Sequence, residues 1–385
     1  MSEETMKTAV SQKGEVHLPK RLNLLFIPRD NKGCGFYRML VPANEIKRQD
    51  LANVVVNFGW DWKMVEWAHV IIVQRMTDIQ AYESFDQAHS LGKKIIFELD
   101  DYVNAISPTN PAYDFWSPFG PNYARCLKIM QKSDAVQVTT ERLKKEYALW
   151  NPHIDVLGNY LDKHLWDIPA WTATHWDSFY KKKNDGIIRI GWAGASSHYE
   201  DLQLIESVIT KICQKYPNVH FCLMGYHGGS KKGANLFQDI PPVTSLCSRC
   251  KHGGQLEKIS GIELLYYPSK LRECAFDIAI APLIETGFNQ CKSDIKIKEY
   301  AALGIPVIAT RMKPYSLSVK EGYTGFLATT GKEWFNALEL LIKDKGLREK
   351  LGRNNYRWYK ENTIDRHIHE WMAFYNRVVS FKFKW

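Results

Sequence analysis

The chain of 385 residues is 45% hydrophobic and 24% charged, with a formal net charge of +9 at pH 7. That length suits two domains of ordinary size, and no run approaches the roughly 20 uninterrupted apolar residues that span a bilayer. The opening MSEETMKTAVSQKGEVHLPKR has no apolar core and reads as a flexible leader over residues 1–20, not as a secretory signal. Eight cysteines without regular spacing point to reduced thiols in a cytoplasm, bacterial or phage-infected.

From residue 21 onward, short β-rich runs alternate with amphipathic stretches. Strands are expected at RLNLLFIP (21–28), VVVNF (54–58), HVIIVQ (69–74), KKIIFEL (93–99), DAVQVT (134–139) and IDVL (154–157). FYRMLVPANEIKRQ and AYESFDQAHSLG, which lie between them, read as helices. Apolar strands separated by helices imply a parallel sheet covered on both faces. A polar, turn-rich stretch at 171–186 follows, and the alternation restarts with IIRIGW (187–192), VHFCLM (219–224), IELLYY (262–267), DIAIAP (277–282) and IPVIAT (305–310). The expected fold is α/β, with two Rossmann-like domains at 21–170 and 187–363 facing each other across a cleft. An amphipathic helix within 364–385 is expected to pack back on the first domain. Ligands of such sheets sit at the carboxyl ends of the strands.

Several segments at those ends carry chemistry. In DNKGCGFYRML, Gly33 and Gly35 permit a tight turn between strand and helix, with free amides that favour an anion, and Arg38 follows one turn later. FELDDYV places Asp100 and Asp101 at a strand mouth, where they can hold hydroxyls and Asp101 can accept a proton. The next segment is a long Pro- and aromatic-rich loop, and its Tyr113, Phe115, Trp116 and Phe119 suit stacking on an acceptor. In GWAGASSHYEDL, Gly194, Ala195, Ser196 and Ser197 let the backbone approach a ligand; Ser197 reads equally as a helix cap, and His198 as a solvated helix start. CSRCKHGG holds Cys247 and Cys250, half of a structural zinc site, with His252, His227 and Cys222 as further candidates. Finally, FNQCKSDIKIKEYAALGIPVIAT reads as loop, helix from near Ser293, then strand. Helix amides with Lys292 and Lys296 form a diphosphate cradle, and Glu299 is placed to accept from two ribose hydroxyls. The alternative for Lys296 and Glu299 is an exposed ion pair worth a few tenths of a kcal/mol, and Lys298 reads as solvated.

This arrangement resembles the retaining GT-B glycosyltransferases that carry an E-x7-E motif, over most of the chain. Glu299 falls at the motif's second acid, LGNYLD (157–162) resembles the N-G-x-D segment of the first domain, and GCGFYR resembles its glycine loop. The first acid of the motif falls on Cys291, and the FELDD acids stand where the family places a histidine. Lys292, Ser293 and Lys296 match a KSxxK variant of divergent bacterial and phage-type members. The resemblance implies donor contacts at Gly33, Gly35, Arg38, Gly194, Ser196, Ser197, His198, Asn289, Lys292, Ser293, Lys296 and Glu299; Lys296 is expected in catalysis, together with Asp100 and Asp101 from their own place at the strand mouth. It implies transfer of a sugar from a nucleotide-sugar with retention and without a catalytic metal. The acceptor is a glycan or small molecule, or a hydroxymethylated base in DNA. A sugar-nucleotide epimerase, or a non-catalytic protein binding nucleotide-sugar or DNA, is the alternative.

Overall fold

The computed structural model describes residues 21–167, 185–226, 236–242 and 254–380. The leader at 1–20, most of the 171–186 linker, Cys247 and Cys250 with their flanking residues, and residues 381–385 lie outside the described residues.

Twelve described strands form two six-stranded sheets. The first comprises β1 (Asn23–Ile27), β2 (Asn53–Val56), β3 (Val70–Gln74), β4 (Lys94–Leu99), β5 (Ala135–Val138) and β6 (Ile154–Val156). Their order is β2-β1-β3-β4-β5-β6, every pair parallel. The second comprises β7 (Ile188–Ala193), β8 (Val219–Met224), β9 (Leu256–Ile259), β10 (Ile278–Ala281), β11 (Val307–Thr310) and β12 (Gly325–Ala328). Its order is β12-β11-β10-β7-β8-β9, again all parallel. In both sheets the first strand has neighbours on either side, so the crossovers diverge there and leave a crevice at its carboxyl end. The loops after β1 and β7 are the two glycine-bearing segments singled out in the sequence.

Two strand assignments differ from expectation. IELLYY is not a strand: Ile262, Leu265 and Tyr266 are exposed, and Tyr267 opens the helix Tyr267–Glu273. Pro268 fits the first turn of a helix and cannot donate to a ladder, while Leu256–Ile259 fills the edge beside β8 in register with Phe221–Met224. β12, only four residues long, carries too short an apolar run to stand out between turn residues.

The helix Ile364–Ser380 lies against the first sheet, with the Tyr375 hydroxyl donating to Gln137 Oε1 at 3.2 Å and its ring edge-on to Phe26. Beneath it sits Arg38, on a π-helical turn over Phe36–Leu40. Arg38 is wholly buried. Its guanidinium donates to Glu98 Oε1 at 2.6 Å, to Leu157 O at 2.5 Å and to Asn159 Oδ1 at 3.1 Å, and lies 5.0 Å from the Trp371 ring. Burial pushes the Glu98 carboxyl up while Arg38 pulls it down. Removing one member of such a pair strands the other charge. Glu98→Ala is therefore expected to destabilise the protein by about 3–5 kcal/mol, read as a lowered urea midpoint; an unchanged midpoint would contradict the pairing.

Candidate active site

The short helix Ile295–Ala302 delivers the central side chains. Residues three and four apart share a helix face, so Lys296, Glu299 and Tyr300 point together at the end of β7. Tyr300 accepts from the Ala193 amide at 3.0 Å, and the Lys296 ammonium donates to the Ala193 carbonyl. The same ammonium lies 4.7 Å from the Trp192 ring. Burial pushes Lys296 down to about 8, against the pull of Glu299 and Asp201. Glu299 is raised above the usual carboxylate range by burial, and it accepts from Tyr37 at 2.7 Å through Oε1 and from Tyr267 at 3.0 Å through Oε2.

These groups line a cavity of about 470 Å³ between the domains, with Gly33, Cys34, Asp100 and Asp101 on one wall and Gly194, Ala195 and His198 on the other. Met224, Gly225, Ile262 and Leu264 also line it. Gly225 has φ of +80°, and a Cβ there would meet the Gly194 carbonyl at 2.6 Å, so a bare backbone is required. Lys292, also on the lining, lies 3.5 Å from Asp101 and 4.4 Å from the Phe288 ring centroid. Asp100 and Asp101 each face Arg75 at 3.9 Å, and Arg75 adopts φ of 43° at the end of β3. Cys34, Asp100 and Asp101 are close enough to share a cation. The Arg75 guanidinium and the Lys292 ammonium beside them together balance the two carboxylates, which makes the group a poor site for a divalent ion. An adjoining cavity of about 400 Å³ is lined by Asp101, Asn110, Trp116, Ser196, Ser197 and Lys292.

His198 is not solvated. Its Nδ1 lies 2.7 Å from Asp201 Oδ2, and burial pushes the imidazole below its usual value. Asp201 also accepts from the Ile284 amide at 2.8 Å and from Asn289 Nδ2 at 2.9 Å, which ties the loop after β10 to the loop after β7. Asn289 thereby supports the loop and borders a small polar recess with His198 and Lys292. Ser293 accepts from Asn159 of the first domain at 2.8 Å and borders the main cavity.

Other sequence expectations need correction. Arg38 is spent on Glu98 and backbone carbonyls and does not border the cavity. Gly35 does not border it either: a Cβ there would meet the Asp30 carbonyl at 1.8 Å, so its role is to close the turn. Lys298 is 5% exposed, donating to Asn159 O at 2.7 Å and to Asp294 Oδ1 at 2.8 Å. Asp294, the N-cap, precedes the helix that was expected to start near Ser293. Cys291 is buried in the first domain's apolar cluster beside Phe288, and burial pushes its thiol up to about 12. Of the aromatic loop, Trp116 is buried with one edge on the smaller cavity, Phe115 lies under Arg29, Tyr113 packs on the core, and Phe119 is 96% exposed. Tyr37, Arg75, Asp201 and Tyr267 were missed. Tyr37 lies inside the glycine-loop segment, and a basic residue directly after an apolar strand was the available signal for Arg75.

The two parallel sheets across a cleft are the GT-B fold of glycosyltransferases. A structure of HepE from Anabaena in complex with UDP and glucose is similar with a TM-score of 0.62 at 14% identity, covering 94% of this chain and 100% of that one. Sucrose-phosphate synthase from Thermosynechococcus elongatus gives 0.61 at 11% identity, covering 93% and 99%. A glycosyltransferase from Rickettsia africae gives 0.61 at 12% identity, covering 94% and 100%. Residues 295–358 match the family model described as glycosyl transferases group 1, a segment that opens with the Lys296–Glu299 helix. No curated protein matches the chain. Among the described residues, no helix is long and apolar enough to cross a membrane.

Lys298→Ala is expected to cost about 1–3 kcal/mol, because it leaves Asp294 Oδ1 and the Asn159 carbonyl without their donor. Lys320→Ala, at an exposed lysine, should stay within about 0.5 kcal/mol. Thermal melts of the two variants make the comparison; equal small shifts would restore the solvated reading.

Proposed function

We propose that the protein transfers a sugar from a nucleotide-sugar to a hydroxyl acceptor, with retention of configuration. The observation that carries this is a buried ammonium and a buried carboxylate on one helix face, opening into an interdomain cavity of about 470 Å³. The base lies against the Met224–Gly225 backbone and Ile262, the ribose on Glu299, and the diphosphate against Lys296, Lys292 and Ser293. The sugar then reaches the region between Asp101 and His198, with its acceptor in the adjoining cavity beside Trp116. The bond from the anomeric carbon to the diphosphate oxygen breaks, and the acceptor oxygen bonds to that carbon on the same face. The acceptor's proton passes to Asp101, which borders both cavities. Fixed cations that meet the developing diphosphate charge in a water-poor site supply the main electrostatic stabilisation, and no metal is assigned a step. The group 1 match over residues 295–358, and UDP in the HepE structure, support the donor class.

A second acceptor class, a hydroxymethylated base in DNA, is supported by a groove of about 760 Å³ on the other side of the Lys292–Asp294 turn. Arg142, Lys145, Arg311 and Lys313 border it. Duplex DNA would then shift in a gel with steep salt dependence; without a shift at low salt, the glycan-type acceptor stands.

Lys296→Ala is expected to abolish transfer and weaken nucleoside-diphosphate binding in a radiolabelled-sugar assay, with far-UV circular dichroism unchanged. Retained turnover would sink the assignment. The wild type carries a pH signature as well. A lysine held at about 8 is charged below that pH and neutral above it, so the donor's KM should rise as pH climbs past 8. A KM flat to pH 10, near the ordinary lysine value, would place the diphosphate elsewhere.

A further inference from the structure

Glu299 has two carboxylate oxygens, and each accepts from a tyrosine. Tyr267 belongs to the same domain and sits 3.0 Å from Oε2; Tyr37 comes from the first domain and sits 2.7 Å from Oε1. All three side chains border the main cavity, and Tyr37 and Glu299 are themselves buried. A ribose presents two adjacent hydroxyls, which match the two oxygens of one carboxylate. We propose that the Tyr37 hydroxyl holds the place of a ribose hydroxyl on Glu299, so that a nucleotide binds by displacing a tyrosine of the opposite domain. This rests on the nucleotide-sugar reading and deepens it.

The local structure fits such a part. Tyr37 lies in the π-helical turn Phe36–Leu40, where i→i+5 bonding is looser than an α-helix and recurs at functional sites. Its neighbour Arg38 anchors that turn on Glu98, so the tyrosine moves with the first domain. Tyr267 has no such freedom, because it shares a domain with Glu299. Breaking the Tyr37 bond therefore requires only that the domains part, whereas breaking the Tyr267 bond requires the second domain to rearrange. In this arrangement the unliganded cleft is held shut by the group that later receives the donor, and the first domain reports on whether the ribose position is filled.

Calorimetry on the full chain tests the idea. UDP, GDP and ADP are titrated into the wild type, Tyr37→Phe and Tyr267→Phe, and the tightest of the three is repeated as its 2′,3′-dideoxy analogue. A displaced tyrosine predicts that Tyr37→Phe binds the ribonucleotide about two- to tenfold more tightly than wild type, the range of one net hydrogen bond. The gain should vanish with the dideoxy analogue, and Tyr267→Phe should show none. Unchanged or weaker binding by Tyr37→Phe, an equal gain at Tyr267→Phe, or a gain that persists with the dideoxy analogue overturns the proposal. Failure of the wild type to bind any of the three defeats the nucleotide-sugar reading itself. Should Tyr37→Phe not fold, Tyr37→Met is read against the same outcomes.

Discussion

An eight-residue helix with three buried charges is the constraint on which the cleft depends. Lys296, Lys298 and Glu299 all lie on Ile295–Ala302, and each is less than a tenth exposed. An unpaired charge at such depth costs several kcal/mol, so partners must come from whatever packs around the helix. The second domain gives the Ala193 carbonyl, the Trp192 face, Asp294 and Tyr267; the first gives the Asn159 carbonyl and Tyr37. Satisfying the helix and joining the domains are thus the same act. What remains incompletely neutralised, a lysine at about 8 and a carboxylate raised by burial, is what a diphosphate and a ribose would complete.

The departure at Cys291 takes on a physical meaning in this frame. The side chain packs with the first domain's apolar cluster, and its carbonyl accepts from Thr140 at 2.9 Å, so the position is a contact between domains. A carboxylate there would lie against that cluster, with Arg142 and Glu146 of the first domain beside it. The first domain brings its own acids to the cavity, Asp100 and Asp101, with Lys292 reaching across to Asp101. The loop after β10 keeps its shape through Asp201 and Asn289, whose hydrogen bonds hold the Ile284 backbone.

Much of the architecture was legible because parallel strands are apolar on both faces. β3 and β10, for example, stand out as apolar runs. IELLYY misled for the same reason: composition alone marks it as a strand, and only Pro268 hints that a helix follows. The proximity of Lys296 and Glu299 was legible from spacing, since a helix brings residues three apart close together, whereas Lys292 lies in the turn before that helix. The burial of Arg38 and Lys298 was not legible, because Glu98 and Asn159 lie more than fifty residues away and the i,i+4 pair of Lys298 with Asp294 looks locally like any solvated ion pair. Tyr37 was hidden for a related reason, its partner being 262 residues along the chain.

The central claim is that the cavity between Gly194, Lys296 and Glu299 takes a nucleotide-sugar. A thermal-shift screen of nucleotide-sugars with common bases and sugars tests it most directly. A donor at about a hundred times its Kd adds about 2.7 kcal/mol of stability, so at least one member should raise the melting temperature by several degrees, in the wild type and not in Lys296→Ala. A flat response across the panel, or an equal shift in both proteins, would contradict the account.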